Sequence, residues 1–246
     1  MKWSAAGVDG CRGGWVAAAF CRDELVVERF QSLQALFDRV FARGRVCVDM
    51  PIGLLDGPGA RDCDRLARAR LGRLRASSVF SPPIRSLLSC ETYAEANHQS
   101  RLRTGRGLSI QSFNITPKIR ELDEFLGAHR NRRKYIWESH PELVFAVLNG
   151  GAVIQESKKT SLGRTQRRDL LALVWPAAEA VIDKALASSL RRDLAEDDIL
   201  DAMACLVAAT AKQVDYCPLK APRDSRDLRM QLRLPKKSVG EGSIWI

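Results

Sequence analysis

Five acidic residues lie where a reactive carboxylate is cheap to place. Asp9 follows the apolar run Ala5–Val8 and precedes Gly10; Asp49 closes the short β-branched run 45–49, ended by Pro51; Glu138 ends the strand-like stretch 134–138. Asp198 and Asp201 sit three apart in D-D-I-L-D-A-M-A, residues 197–204. A carboxylate at the end of a buried strand reaches solvent without a desolvation penalty. Acids brought together from separate rigid elements hold hard cations such as Mg²⁺ or Mn²⁺ through oxygen ligands. Two such ions about 3.5–4 Å apart activate a water on one side of a phosphodiester and stabilise the leaving oxygen on the other. Each acid also has a plainer reading. Asp9 suits a turn in which it caps its own backbone, and Asp197 and Asp198 suit the start of a helix. His140, just before Pro141, fits either a proton shuttle or a hydrogen-bonded edge residue, and Glu142 fits a helix start.

Convergence of these acids requires a particular topology. The glycine turn after Asp9 makes 5–20 a β-hairpin, and 24–30 reads as a third strand. Residues 32–41 carry apolar side chains at 33, 36, 37, 40 and 41, a helical period. A right-handed crossover then sets the fourth strand, 45–49, parallel to the first, so Asp9 and Asp49 end neighbouring strands at their carboxyl edge. A fifth strand at 134–138 brings Glu138 beside Asp49. The pattern predicts helices over 60–75, over 116–126 with Thr116 as N-cap and Pro117 in its first turn, and over 163–190 with a break at Trp175-Pro176. A last helix spans about 196–212 and places Asp198 and Asp201 on one face. Ala204, Cys205 and Ala208 form a small-residue strip that lets this helix lie close to a sheet. The tail after Pro218 is polar and basic and carries no predicted element.

The chain of 246 residues has a formal net charge of +10. Residues 57–134 hold sixteen Arg or Lys against seven acids, so this third of the chain carries nearly all the excess. A basic surface beside an acidic cleft suits a polyanion gripped in one place and attacked in another. Arg61, Arg65 and Arg68 form a row off the apolar stripe of the helix over 60–75 and are the predicted backbone contacts, with Arg12 and Lys158 as further phosphate contacts. The plainer reading is a solvated, arginine-rich helical face.

Seven cysteines lie far apart without a C-x-x-C pair, which indicates neither a zinc site nor a disulfide framework. No segment approaches the roughly 18–20 apolar residues of a membrane span, and 15–21 is too short for a secretory signal. A soluble, cytoplasmic protein is expected. Ser77 and Ser78 lack a G-x-S-x-G elbow, which argues against a serine hydrolase.

The chain resembles the DUF429 family, predicted nucleases of the ribonuclease H-like fold. The resemblance rests on G-V-D-G-C-R-G-G-W (7–15), V-D-M-P-I-G-L (48–54), S-S-V-F-S-P-P (77–83), E-S-H-P-E (138–142), K-K-T (158–160) with Arg167 and Arg168, and D-D-I-L-D-A-M-A (197–204). It implies an α/β domain over 1–246, with a mixed five-stranded sheet of order 3-2-1-4-5 flanked by helices and a basic helical insertion at 57–130. By similarity to RuvC-type resolvases, Asp9, Asp49, Asp198 and Asp201 would ligate metal. Glu138, outside that four-acid pattern, would ligate metal, orient water or support the site. Metal-dependent hydrolysis of DNA or RNA phosphodiesters is the expected activity. Two alternatives stay open: a catalytically silent nucleic-acid-binding module, and an ATP-dependent phosphotransferase of the actin and sugar-kinase fold in which D-G-C-R-G-G would bind phosphate.

Overall fold

The computed structural model describes residues 1–190 and 192–236. Among these residues seven strands form one mixed sheet: β1 (Trp3–Cys11), β2 (Gly14–Cys21), β3 (Glu24–Phe30), β4 (Val40–Val48), β5 (Ile136–Glu138), β6 (Val214–Cys217) and β7 (Leu232–Pro235). Their order is β3-β2-β1-β4-β5-β7-β6. β1 is antiparallel to β2 and parallel to β4, and β5 continues the parallel run. The expected order 3-2-1-4-5 stands for these five strands and is extended by two. β6 and β7 come from the stretch after the last helix, including the tail to which no element was assigned. β7 reads L-R-L-P, and its only polar residue, Arg233, is buried and donates to the Ala208 carbonyl and the Tyr216 hydroxyl. Four residues with a buried arginine among them carry too little periodicity to announce a strand.

Among the described residues eight α-helices accompany the sheet: α1 (Leu33–Phe37), α2 (Asp62–Arg75), α3 (Tyr93–Thr104), α4 (Ile110–Ala128), α5 (Pro141–Leu148), α6 (Ser161–Val174), α7 (Ala178–Ala187) and α8 (Glu196–Thr210). Side chains alternate across a strand, and the central strands bury both sets. Ala6, Val8, Val46 and Val48 pack with α1 and α4 on one face. Ala5, Val16, Ala18 and Cys47 pack with α2 and α5–α8 on the other. The segment expected to be an insertion therefore supplies core: Ile119, Leu122 and Phe125 of α4 cover one face, and Cys63, Ala67 and Leu71 of α2 join the other.

Three boundaries differ from the sequence reading. The first helix ends at Phe37 because Val40 already pairs with Trp3 as the start of β4. α4 begins at Ile110, capped by the Ser109 hydroxyl, so Pro117 lies inside it. Thr116 is no cap; its hydroxyl donates to the Ser112 carbonyl one turn earlier. α3 had no apolar stripe to betray it, burying only Ala96 and Ser100, and is bounded by local chemistry. Thr92 caps its start, and left-handed Gly105 (φ 72°) ends it.

Candidate metal centre

Val8 and Val48 are the last residues paired in the parallel β1–β4 ladder, and the Asp49 amide donates to the Val8 carbonyl at 2.8 Å. Asp9 and Asp49 thus stand side by side at the carboxyl edge. Both are in step with Gly7 and Cys47, so their side chains point to the face covered by α8. α8 reaches them because β1 offers a glycine beneath it: a Cβ on Gly7 would lie 1.9 Å from the Leu206 nitrogen and 2.1 Å from the Ala202 oxygen. Close contact of helix and strand backbone delivers Asp201, one turn into α8. The result is three carboxylates, Asp9, Asp49 and Asp201, each offering an oxygen within 4.8 Å of the others.

Without a cation these acids oppose one another. Burial, then repulsion from Asp49 and Asp201, holds the Asp9 carboxyl well above the usual range. Burial and Asp201 do the same to Asp49. Burial also raises Asp201, against the pull of Lys158. The Lys158 ammonium is hydrogen-bonded to Asp201 Oδ2. Burial by itself would lower the lysine's pKa, but attraction to Asp201 and Asp9 outweighs it and raises the value. Lys158 is set by a tight turn: Thr160 caps α6, its amide donates to the Ser157 carbonyl, and Gly163 lets that carbonyl approach to 2.0 Å of where a Cβ would stand. The other oxygen of Asp201, Oδ1, is buried and has no hydrogen-bond partner. A buried anionic oxygen without a partner is costly, and an all-carboxylate set suits a hard divalent cation. These residues therefore fit Mg²⁺ or Mn²⁺.

The other predicted residues divide. Asp198 lines the same cleft but lies outside the close trio, and its Oδ2 accepts the Ala195 amide at 3.0 Å as a helix cap. Burial, reinforced by Asp197 and Asp201, pushes it up to about 6. Asp197 pairs with Lys159 at 2.9 Å. His140 precedes α5 and lines the cleft; its Nε2 lies 3.4 Å from the Ser78 carbonyl, and its buried Nδ1 is unpartnered. Burial lowers its pKa, which keeps the ring neutral.

Glu138 is not with the trio. It pairs in register with Val48, one residue short of Asp49, and although it lines the same cleft and its charge helps to raise Asp49, its carboxylate is turned to Arg61. It accepts two hydrogen bonds from Arg61, at 2.8 and 2.9 Å, and one from the Ile52 amide at 2.8 Å. Arg61 also bonds both oxygens of Asp64. Cys63, Asp64 and Glu138 form a second set with ligand-like spacing, but the Arg61 guanidinium already supplies its positive charge. This corrects the expectation for Arg61, which is 3% exposed and reaches no ligand in solvent. Arg68 is likewise spent, donating to the Val79 carbonyl and the Ser81 hydroxyl. Arg65 is exposed and loosely paired with Asp62 at 3.3 Å, and Arg12 sits exposed in the hairpin turn at the mouth of the cleft. Lys158 lies inside the acid cluster. Sequence reasoning missed Lys118, which lines the cleft with its ammonium 4.8 Å from the Trp15 ring centroid. Its signal was a lysine on the polar side of a helix placed one boundary too late.

A family model described as "Protein of unknown function (DUF429)" matches residues 7–224. The chain belongs to the DUF429 family. No curated protein and no solved structure matches it. The span matched in this DUF429 protein includes every member of the acid cluster, from Asp9 to Asp201. Among its described residues, no helix is long and apolar enough to cross a membrane.

Proposed function

We propose that this DUF429 protein is a metal-dependent phosphodiesterase acting on nucleic acid. The observation that carries the reading is the trio Asp9, Asp49 and Asp201, drawn from two strands and a helix and held together although burial raises all three and Asp201 further raises both Asp9 and Asp49. Such crowding is expensive in a folded protein unless a cation offsets it. Asp9, Asp49 and Asp201 would hold the ion, and Asp198 stands near enough to join or to orient water. A divalent ion so bound lowers the pKa of water and neutralises charge on a phosphate. Lys158 balances Asp201 until then, and Lys118 and Arg12 at the cleft wall orient the phosphate. Neutral His140 is placed to pass a proton along the edge of the same cleft.

The substrate class rests on charge. The chain carries +10 overall, and Arg65, Arg73, Arg101, Arg103 and Arg106 stay exposed within its basic third. The test is incubation of the purified protein with labelled single- and double-stranded DNA and RNA, with Mn²⁺, Mg²⁺ or EDTA. Cleavage that requires the ion and is lost in Asp49→Asn supports the reading; no cleavage of any of the four with either ion refutes it. One observation favours a second reading, a silent nucleic-acid-binding module: the Lys158–Asp201 pair already neutralises part of the cluster. Binding of the same strands without cleavage, unaffected by metal, would establish that alternative.

A further inference from the structure

β5 and β7 are paired only at Glu138 and Leu232. The segments that lead into these two parallel strands, 130–135 and 223–231, therefore diverge and leave a cavity of about 610 Å³ between them. Six cations line it: Arg130, Arg133, Lys134, Arg223, Arg226 and Arg229. The two acids in the wall are already paired, Glu138 with Arg61 outside the cavity and Asp227 with Arg223 of the same wall at 3.0 Å. Arg226 reaches out of the cavity to Asp123. Arg130, Arg133, Lys134 and Arg229 are left with no carboxylate partner among the described residues.

Two features show that this arrangement carries a cost without a ligand. Arg223 and Arg229 face each other directly across an isolated antiparallel bridge, a position where like charges repel. The turn between them is closed by Asp227 in the left-handed region, at φ 63°. Arg229 is half-buried and donates to the carbonyls of Arg133 and Ile136 beside the Trp137 ring, with no acid among these partners. Burial and the charges of Arg223 and Arg233 lower its pKa, the opposite of what a counter-ion would do.

We infer that this cavity is a binding site for a small polyanion carrying two or more phosphate groups. Its volume falls within the range of small-molecule sites, roughly 300–1,000 Å³, and far exceeds what one phosphate needs. Guanidinium groups bind phosphate oxygens in pairs, so four cations without a carboxylate partner, two of them (Arg133 and Arg229) held in place by backbone carbonyls, call for several such oxygens. The site does not depend on the metal-centre reading. The Arg61–Glu138 pair stands between them, with Glu138 lining both cavities.

The test is calorimetric titration of the full chain with sodium triphosphate in EDTA, so that no divalent ion can bridge. Saturable one-to-one binding is expected. It should weaken by about tenfold or more in the double variant Arg130→Gln/Lys134→Gln, because each lost charged hydrogen bond is worth at least that. Both side chains are exposed and unpaired with acids, so the ligand-free melting temperature should not move. Arg65→Gln, outside the cavity, should bind triphosphate as the parent does. An absence of saturable binding, or equal affinity in the double variant, overturns the inference. So does a short oligonucleotide that binds here with the same dependence on Arg130 and Lys134 while triphosphate fails to saturate.

Discussion

Two buried acid clusters flank the β4–β5 edge, and they solve the same electrostatic problem in opposite ways. In one, Asp64 and Glu138 share the guanidinium of Arg61, and every charge has a hydrogen-bonded partner. In the other, Asp9, Asp49 and Asp201 have a single ammonium among them, Lys158, bonded to one of the three. The first arrangement is complete within the chain; the second is short of positive charge. Sequence spacing cannot separate the two, since both join carboxylates near strand ends to one from the first turns of a helix. What separates them is whether a cation from the chain reaches the same point.

The sharpest way to break the comparison is to remove the completing cation. Arg61→Gln should lower unfolding stability by about 3–5 kcal/mol, the cost of leaving buried charges unpaired, read as a shift of the urea midpoint. A midpoint within error of the parent would mean that Asp64 and Glu138 do not depend on Arg61. Next in size is Gly7→Ala. The added methyl group meets α8 backbone, so a loss of roughly 1–3 kcal/mol is expected from overpacking. Mn²⁺ should then stabilise the variant less than the parent, because α8 and Asp201 have been displaced. Undiminished stabilisation by Mn²⁺ would detach the metal centre from this helix contact.

The third change should act in the opposite direction on stability. Asp9→Asn removes one of three repelling charges while keeping its shape, so the metal-free protein should gain on the order of 1 kcal/mol at neutral pH even as Mn²⁺-dependent cleavage falls at least about a hundredfold. A destabilised Asn variant would show that the acids are satisfied as they stand. The pH profile tests the same point. Asp9, Asp49 and Asp198 have folded pKa values raised above an ordinary value of 3.8, Asp198 to about 6. A raised carboxyl favours folding when protonated; its contribution is full below the ordinary value and is lost as pH rises through the folded one. The metal-free melting temperature should therefore decline between about pH 4 and pH 7, and the gain from Mn²⁺ should grow over the same window. A gain independent of pH would place the ion elsewhere. The smallest effect is expected from Arg65→Gln: its exposed pair with Asp62 should contribute within about 0.5 kcal/mol, and a larger shift would give that surface a structural role.

The placement of Asp9, Asp49 and Asp201 was legible in the sequence because each lies at a place that local pattern defines: the end of an apolar run, or one turn into a helix of small residues. The five-strand order followed from the hairpin and one crossover. Glu138 stands near Asp49 at the carboxyl edge, as the strand order implies, but its pairing with Arg61 rests on a helix contact that strand spacing does not show. Arg61 was misread for a related reason. Its helix periodicity put it off the apolar stripe, but position on a helix says nothing of a buried anion waiting at a neighbouring strand end. β6, β7 and α3 stayed invisible because their stability is tertiary or capping in origin, with too few periodic residues to register. Lys158 was legible as a cation in a motif and illegible as a partner of Asp201, forty-three residues away.

The Arg61–Glu138 pair, with Glu138 lining both cavities, is a shared wall between an open circuit and a closed one. Removing the Glu138 charge would weaken that wall from both sides at once and leave the buried Arg61 with Asp64 alone. The end of this short strand is therefore constrained by charge as well as by packing, and a neutral residue at 138 should cost more than its lost contacts alone.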